Sequence, residues 1–144
     1  MWARLAETIH GHLGVLAAVA LVHPAVLLRR GAAPSRGARW AIALSTALVT
    51  LAFGAGIAIY PHYRSAVRRP LFALRPAAGW LFETKEHLAF VVLSLALGAA
   101  VCALAAPRDA AALRRAAAAQ FAAAAALCAV VAALGSFVAS VRGF

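Results

Sequence analysis

The chain has 144 residues, of which 65% are hydrophobic and only 12% are charged, and its mean hydropathy is +0.89. Soluble domains carry about 25% charged and 45–50% apolar residues, so this composition excludes an ordinary water-soluble fold, and its apolar content excludes a disordered chain. The length allows one domain, residues 1–144. The composition therefore predicts a polytopic integral membrane protein in contact with the lipid bilayer.

The net charge of +10 arises from 14 Lys and Arg residues against 4 Asp and Glu residues. The arginines stand between the apolar runs, as in Arg29-Arg30 and Arg114-Arg115. This placement is typical of headgroup anchoring. Nucleic-acid binding requires a basic face on a soluble element with interleaved aromatic residues, so we do not expect a nucleic-acid partner.

Four apolar segments lie at about residues 6–29, 40–60, 84–106 and 114–141. Each is near or above the roughly 20 residues that a helix needs to cross a hydrocarbon core of about 30 Å. They predict an all-α, integral-membrane four-helix bundle of up-down-up-down topology, in a membrane of the bacterial inner-membrane type. Both termini then lie on one side, which we call side A. The loops around 29–39 and 107–115 lie on the other, side B.

The connection between the second and third segments, residues 61–86, is rich in arginine and aromatic residues. Pro61, Pro70 and Pro76 are expected to break it. An interfacial segment with aromatic rings at headgroup level fits this mixture. A lid over something bound at side A is the functional alternative.

Small residues recur along the second segment, where Thr46, Thr50, Gly54 and Ala58 stand at intervals of four. Gly14 and Ala18 repeat that spacing in the first segment. Such ridges allow helices in membranes to approach closely. They predict a tight bundle in which these ridges face neighbouring helices.

The histidines are the most informative polar residues, because ionisable groups within the membrane are costly and mark function. His12 and His23 are 11 positions apart, which sets them about 20° from each other on one helical face. His87 opens the third segment at side A, and Ser94 and Gly98 continue its face. Small residues after a histidine leave room for a flat ligand against the helix.

The leading hypothesis is an electron-transfer protein that binds one haem b through His12 and His87. Haem b takes two axial ligands from facing helices, and histidine is a common choice. The helix count and the inward histidines resemble those of small four-helix b-type membrane cytochromes, although the paired histidines on each of two helices are missing. Electrons would pass between a quinone-type donor and a partner at side A. His23 would suit a second haem but has no partner histidine at side B.

Two other functions remain open, and both fit a carrier or binding subunit better than a stand-alone catalyst. One is a non-redox structural or assembly subunit, which binds other membrane subunits or a second copy through its small-residue ridges. The other is a proton or metal conductor, with a metal site formed by His12, His62 and His87 and assisted by Glu86. The histidines also have a structural reading, in which His23 satisfies the backbone carbonyl freed by Pro24.

Overall fold

A computed structural model describes residues 2–142, and every element in that range is helical. Helix α1 spans Trp2–Leu28 and α2 spans Arg36–Tyr63. A π-helical turn, Arg64–Arg68, leads into the short α3, Arg69–Leu74. Helices α4 and α5 span Pro76–Ala105 and Ala111–Val141.

Between residues 2 and 142, four helical stretches are long and apolar enough to cross a membrane, and they confirm the predicted four-helix integral membrane fold. Helix α1 packs between α2 and α5, and α4 packs against α5. Contact between α2 and α4 is less extensive. Helices α1 and α4 therefore lie diagonally across the bundle.

The predicted breaks at Pro61 and Pro70 are wrong, because a continuous helical stretch of 39 residues runs from Arg36 to Leu74. The π-helical turn, in which the Arg69 N–H donates to the Arg64 carbonyl, immediately precedes Pro70. Pro70 lies in the first turn of α3, and the Ala66 carbonyl, which the proline leaves without its i+4 N–H donor, accepts a 3.4 Å hydrogen bond from the Arg142 Nε. At about 1.5 Å per residue this stretch is about 58 Å long, so the hairpin it forms with α4 extends beyond the bilayer on side A.

The chain reverses at Arg75, whose φ of −146° and ψ of 79° depart from helical values. Pro76 then begins α4. The break expected at Pro76 is therefore present as a tight turn, and the connection is a helical hairpin.

The core consists of two clusters along the bundle axis. The larger one fills the middle and the side B half with alanines of α4 and α5 around Leu21, Ile42 and Phe121. The smaller one lies at side A. Its buried members are Tyr63, Val67, Leu71, Ala78, Phe82 and Val138. Because alanine is small, α4 and α5 pack closely within the larger cluster.

The small-residue ridge of α2 faces the bundle only at its first member. Thr46 is buried, whereas Thr50, Gly54 and Ala58 are exposed. A Cβ on Gly54 would meet no atom within 4 Å. The prediction that this ridge packs inside the bundle is wrong beyond Thr46, because α2 turns a different face inward. That buried face comprises Ile42, Ser45, Val49, Ala52 and Ile59.

The shorter ridge on α1 does contact the rest of the bundle. Ala18 packs against the main core. The Cys128 thiol of α5 lies 3.5 Å from the Gly14 carbonyl and donates a hydrogen bond to it. A Cβ at position 14 would meet no atom within 4 Å, so this contact with α5 does not depend on the glycine.

Candidate functional site

His12 and His87 lie on exposed faces of α1 and α4. The Nδ1 of His12 lies 2.7 Å from the Thr8 carbonyl, and the Nδ1 of His87 lies 2.7 Å from the Glu83 carbonyl. Because a carbonyl only accepts, each Nδ1 carries the proton and each Nε2 is left as an acceptor. The two rings do not face each other, and the predicted inward orientation is wrong.

His12 and His23 do share one face of α1, as their spacing predicted, but this face is on the outside of the bundle. Leu16 and Val19, which follow His12 on the same face, are 56% and 68% exposed. His23 is exposed as well. That face therefore contacts lipid or another protein rather than the interior of the bundle.

The prediction that His23 donates a hydrogen bond to the backbone carbonyl freed by Pro24 is wrong. That carbonyl belongs to Ala20, and it accepts a 2.9 Å hydrogen bond from the Ser45 hydroxyl of α2. Ser45 is buried on the face of α2 that packs against α1. The His23 side chain is exposed.

His10 is half-buried and forms a hydrogen bond to a neighbouring helix. Its Nδ1 lies 2.9 Å from the Ala52 carbonyl of α2. Its ring covers Gly56 so closely that a Cβ there would come within 2.9 Å of the His10 Cε1. The His10 ring can pack at this position because residue 56 is a glycine and has no side chain.

The metal site predicted from His12, His62 and His87 does not form within the described residues. His62 is exposed, and its ring packs edge-on against Trp2 with centroids 4.7 Å apart. Across residues 2–142, no three His, Cys, Asp or Glu side chains come together as a metal-binding group.

A different polar group forms at the side A end of the bundle, around Lys85. Its ammonium lies 5.0 Å from the Phe82 ring centre and 5.9 Å from that of Tyr63. These two rings are stacked, with centroids 5.1 Å apart and an angle of 8° between their planes. The arrangement is a cation–π contact beneath an aromatic pair that joins α2 to α4.

Lys85 is surrounded by other ionisable groups from α1 and α4. The carboxylates of Glu86 and Glu7 interact with it electrostatically. Lys85 also has an electrostatic interaction with the His10 side chain. We call Glu7, His10, Tyr63, Lys85 and Glu86 the side A cluster. Counting about 20 residues of α1 back from Leu28 places the edge of the hydrocarbon core near this cluster.

An ion pair stabilises the hairpin beyond the side A cluster. The Arg68 guanidinium binds the Glu83 carboxylate through Nε and Nη2. The same guanidinium lies 5.1 Å from the centre of the Phe72 ring, which covers Gly79. Glu83 therefore pairs with Arg68, while only its backbone carbonyl contacts the His87 ring.

The face predicted to accept a flat ligand is an open pocket of about 330 Å³ on the outer side of α4. Ser94 and Gly98 line it, together with Gln120 of α5. The Gln120 Oε1 is buried and has no hydrogen-bond partner. His87 is not among the lining residues, so the structure does not join this pocket to the histidine predicted to share its ligand.

Arg114, predicted as a headgroup anchor, instead lies buried at side B, where it is 2% exposed. Its Nε donates to the Gly31 carbonyl at 2.8 Å. Its Nη1 and Nη2 donate to the carbonyls of Pro107 and Arg108 at 2.6 and 2.9 Å. This side chain ties the α1–α2 loop to the α4–α5 loop, a role that the sequence pattern did not indicate.

The fold defines the chain as an all-α integral membrane protein with four spanning helices. No protein family, no curated protein and no solved structure matches the chain.

Proposed function

We propose that the chain is a non-redox subunit of a membrane complex that binds another transmembrane helix along the outer face of α2. Only 28–33% of each apolar spanning window is buried within the bundle. Most of the surface of the four helices is therefore left to lipid or to other chains. A binding subunit uses such surface, whereas a self-contained carrier has to bury its site.

The observation that supports this function is the outward position of the small residues on α2. Their spacings of three and four place them on one helical face. The residues, which we call the α2 ridge, are Ala43, Ala47, Thr50, Gly54 and Ala58, all exposed. Larger side chains flank them and are 54–63% exposed: Trp40, Leu44, Leu51 and Ile57.

A ridge of this kind suits a partner helix better than it suits lipid. Small side chains let two helix backbones approach, and association in membranes depends on such packing because lipid is as apolar as the helix surface. The Thr50 hydroxyl already donates to the Thr46 carbonyl at 2.9 Å. The ridge therefore presents a surface whose hydroxyl is satisfied and whose centre, Gly54, is open.

A proton or ion conductor receives less support. Within the described residues, the buried polar and charged side chains are Ser45, Thr46, Arg114 and, in the side A cluster, Tyr63. Ser45 and Thr46 both donate to backbone carbonyls. Leu21, Ile42 and Phe121 fill the space between the side A cluster and side B. An ionisable relay through the membrane would need polar groups in that space.

Photo-crosslinking in native membranes tests the proposal. A photoreactive amino acid at Ala47 is expected to give a discrete protein adduct, and one at the outward Val101 of α4 is expected to give none. Gly54→Leu should abolish the Ala47 adduct, because the larger side chain keeps the partner helix away from the α2 ridge. Gly11→Leu is the matched control, because Gly11 is also exposed with no atom within 4 Å.

Adducts of twice the chain mass would identify a second copy as the partner helix, and other masses a different subunit. Lipid adducts alone at position 47, or equal yields at positions 47 and 101, would overturn the proposal. Circular dichroism and thermal unfolding of both glycine variants would verify that the fold is intact.

The haem hypothesis survives as a second candidate only in a modified form. Histidines that bind metals commonly donate Nδ1–H to a carbonyl and coordinate through Nε2, and His12 and His87 both have this arrangement. Since their rings face outward from diagonal helices, a bis-histidine haem b would be held between two chains. Its quinone-type electron donor would then approach from the lipid.

An absorption spectrum of the purified full chain after haem addition separates the two candidates. A Soret band that shifts on reduction, and that is lost in His12→Ala and His87→Ala but kept in His62→Ala, would favour the electron carrier. A colourless protein with an intact ridge crosslink would favour the non-redox subunit.

A further inference from the structure

A groove of about 780 Å³ runs along the outer side of the contact between α1 and α5. Alanines of α5, including Ala122 and Ala126, form one wall. Val19, Val22 and Val26 of α1 form the other. The groove is distinct from the α2 ridge, since α2 contributes none of its lining.

The charge at one end of the groove distinguishes it from a featureless lipid-facing crevice. Arg29 and Arg115 line its side B end, and both are exposed. The acidic residue on that side is Asp109, and in the described part of the chain it forms no ion pair with either arginine. Two unneutralised guanidinium groups therefore border an apolar slot at the membrane surface.

The dimensions of the groove match one leaflet. Along α5, the distance from Arg115 to Ala129 corresponds to about 21 Å of helix, and along α1 the distance from Arg29 to Ala18 corresponds to about 17 Å. Half of a typical hydrocarbon core is about 15 Å. An acyl chain entering from the side B headgroup region would thus lie against protein over its whole leaflet.

We propose that this groove is a binding site for an anionic phospholipid. One acyl chain lies between the valines of α1 and the alanines of α5, and the phosphate lies between Arg29 and Arg115. Guanidinium groups bind phosphate through paired N–H donors, which gives the contact both charge and geometry. Zwitterionic lipid has the same chains but lacks the net charge that this pair of arginines selects.

Native mass spectrometry of the full chain in detergent measures the preference directly. The added probes are dioleoylphosphatidylglycerol and dioleoylphosphatidylcholine, which share their acyl chains. We expect the phosphatidylglycerol adduct to be retained roughly 5- to 30-fold better, as one or two arginine contacts at about 1 kcal/mol each would give. The double variant Arg29→Gln/Arg115→Gln should lose this preference.

The matched control removes the same charge from side B outside the groove. Arg30→Gln/Arg36→Gln should keep the preference, because neither residue lines the groove. For the apolar part, Ala122→Phe should reduce retention of both lipids, whereas Ala123→Phe, also exposed but outside the groove, should not.

Three results would overturn the proposal. An equal loss in both double variants would show that diffuse charge attracts the lipid. Unchanged retention in Ala122→Phe would show that the groove is not the site. Disulfide-linked dimers formed through Ala122→Cys would show that a second copy occupies it. None of these results depends on the α2 ridge, so this proposal and the proposed function can fail separately.

Discussion

Ser45 of α2 replaces the hydrogen bond that Pro24 removes from α1. Proline has no N–H, so the Ala20 carbonyl loses its usual donor four residues along the helix. The Ser45 hydroxyl donates to that carbonyl at 2.9 Å. Both Ser45 and Pro24 are buried, and water is excluded from this depth, so the contact couples the α1–α2 interface to the backbone defect.

Ser45→Ala is expected to destabilise the protein by about 1 kcal/mol, because it leaves a buried carbonyl without a donor. Unfolding in mixed detergent micelles measures the change. In a Pro24→Ala background the N–H of residue 24 is restored, so the same substitution should cost clearly less. Thr50→Ala is the control, since the Thr50 hydroxyl bonds only within its own helix. An equal cost of Ser45→Ala in both backgrounds would contradict this account.

Arg114→Leu is expected to destabilise the protein by about 3 kcal/mol or more, because the side chain makes charge-assisted hydrogen bonds to three carbonyls in a buried setting. Arg114→Lys keeps the charge but lacks the planar fork, and should rescue only part of the loss. Thermal unfolding and protease sensitivity of the two side B loops measure the effect. The exposed Arg108 provides Arg108→Leu as a control, and similar losses in the two leucine variants would refute the loop-tying role.

Gly31→Ala tests the same junction through the backbone. Gly31 has a φ of +72°, and a Cβ there would lie 2.7 Å from the Ala111 carbonyl oxygen. Both the strained conformation and the clash with α5 should lower stability by more than about 1 kcal/mol. Gly37→Ala, in the first turn of α2 with only one atom at 4.0 Å, should be neutral or stabilising. Equal melting temperatures for the two variants would contradict the close approach of this loop to α5.

The sequence was sufficient for the number and approximate position of the spanning helices, because each apolar run has the length that a bilayer requires. It was not sufficient for their rotation about their own axes. Helix α4 carries apolar residues on all sides, including the exposed Phe90 and Val101. In lipid, a hydrophobic face does not identify the inward face, and the outward position of His87 followed from packing alone.

The side A cluster is a second feature that the sequence did not predict. Glu86 was predicted only to assist a metal or proton site at side A, and its grouping with Glu7, Tyr63 and Lys85 was not predicted. Their proximity depends on the helical continuation of α2 past Pro61, which the proline itself argues against. No local signal in the sequence predicts the π-helical turn that permits α3 to follow.

Lys85→Met is expected to destabilise the side A end of the bundle, because it removes a largely buried ammonium group with which the carboxylates of Glu86 and Glu7 interact. Glu86→Gln alone should be less harmful, since it removes one charge and keeps a hydrogen-bonding side chain. The double variant Lys85→Met/Glu86→Gln should recover part of the loss, with a coupling of roughly 0.5–3 kcal/mol in a double-mutant cycle. Hydrogen exchange of α2 and α4 near Tyr63 and Phe82 reports the local effect. Strictly additive changes in stability would contradict this coupling and would mean that Lys85 acts through its aromatic contacts alone. In that case Lys85→Arg, which keeps a cation next to the two rings, should be as stable as the unmodified protein.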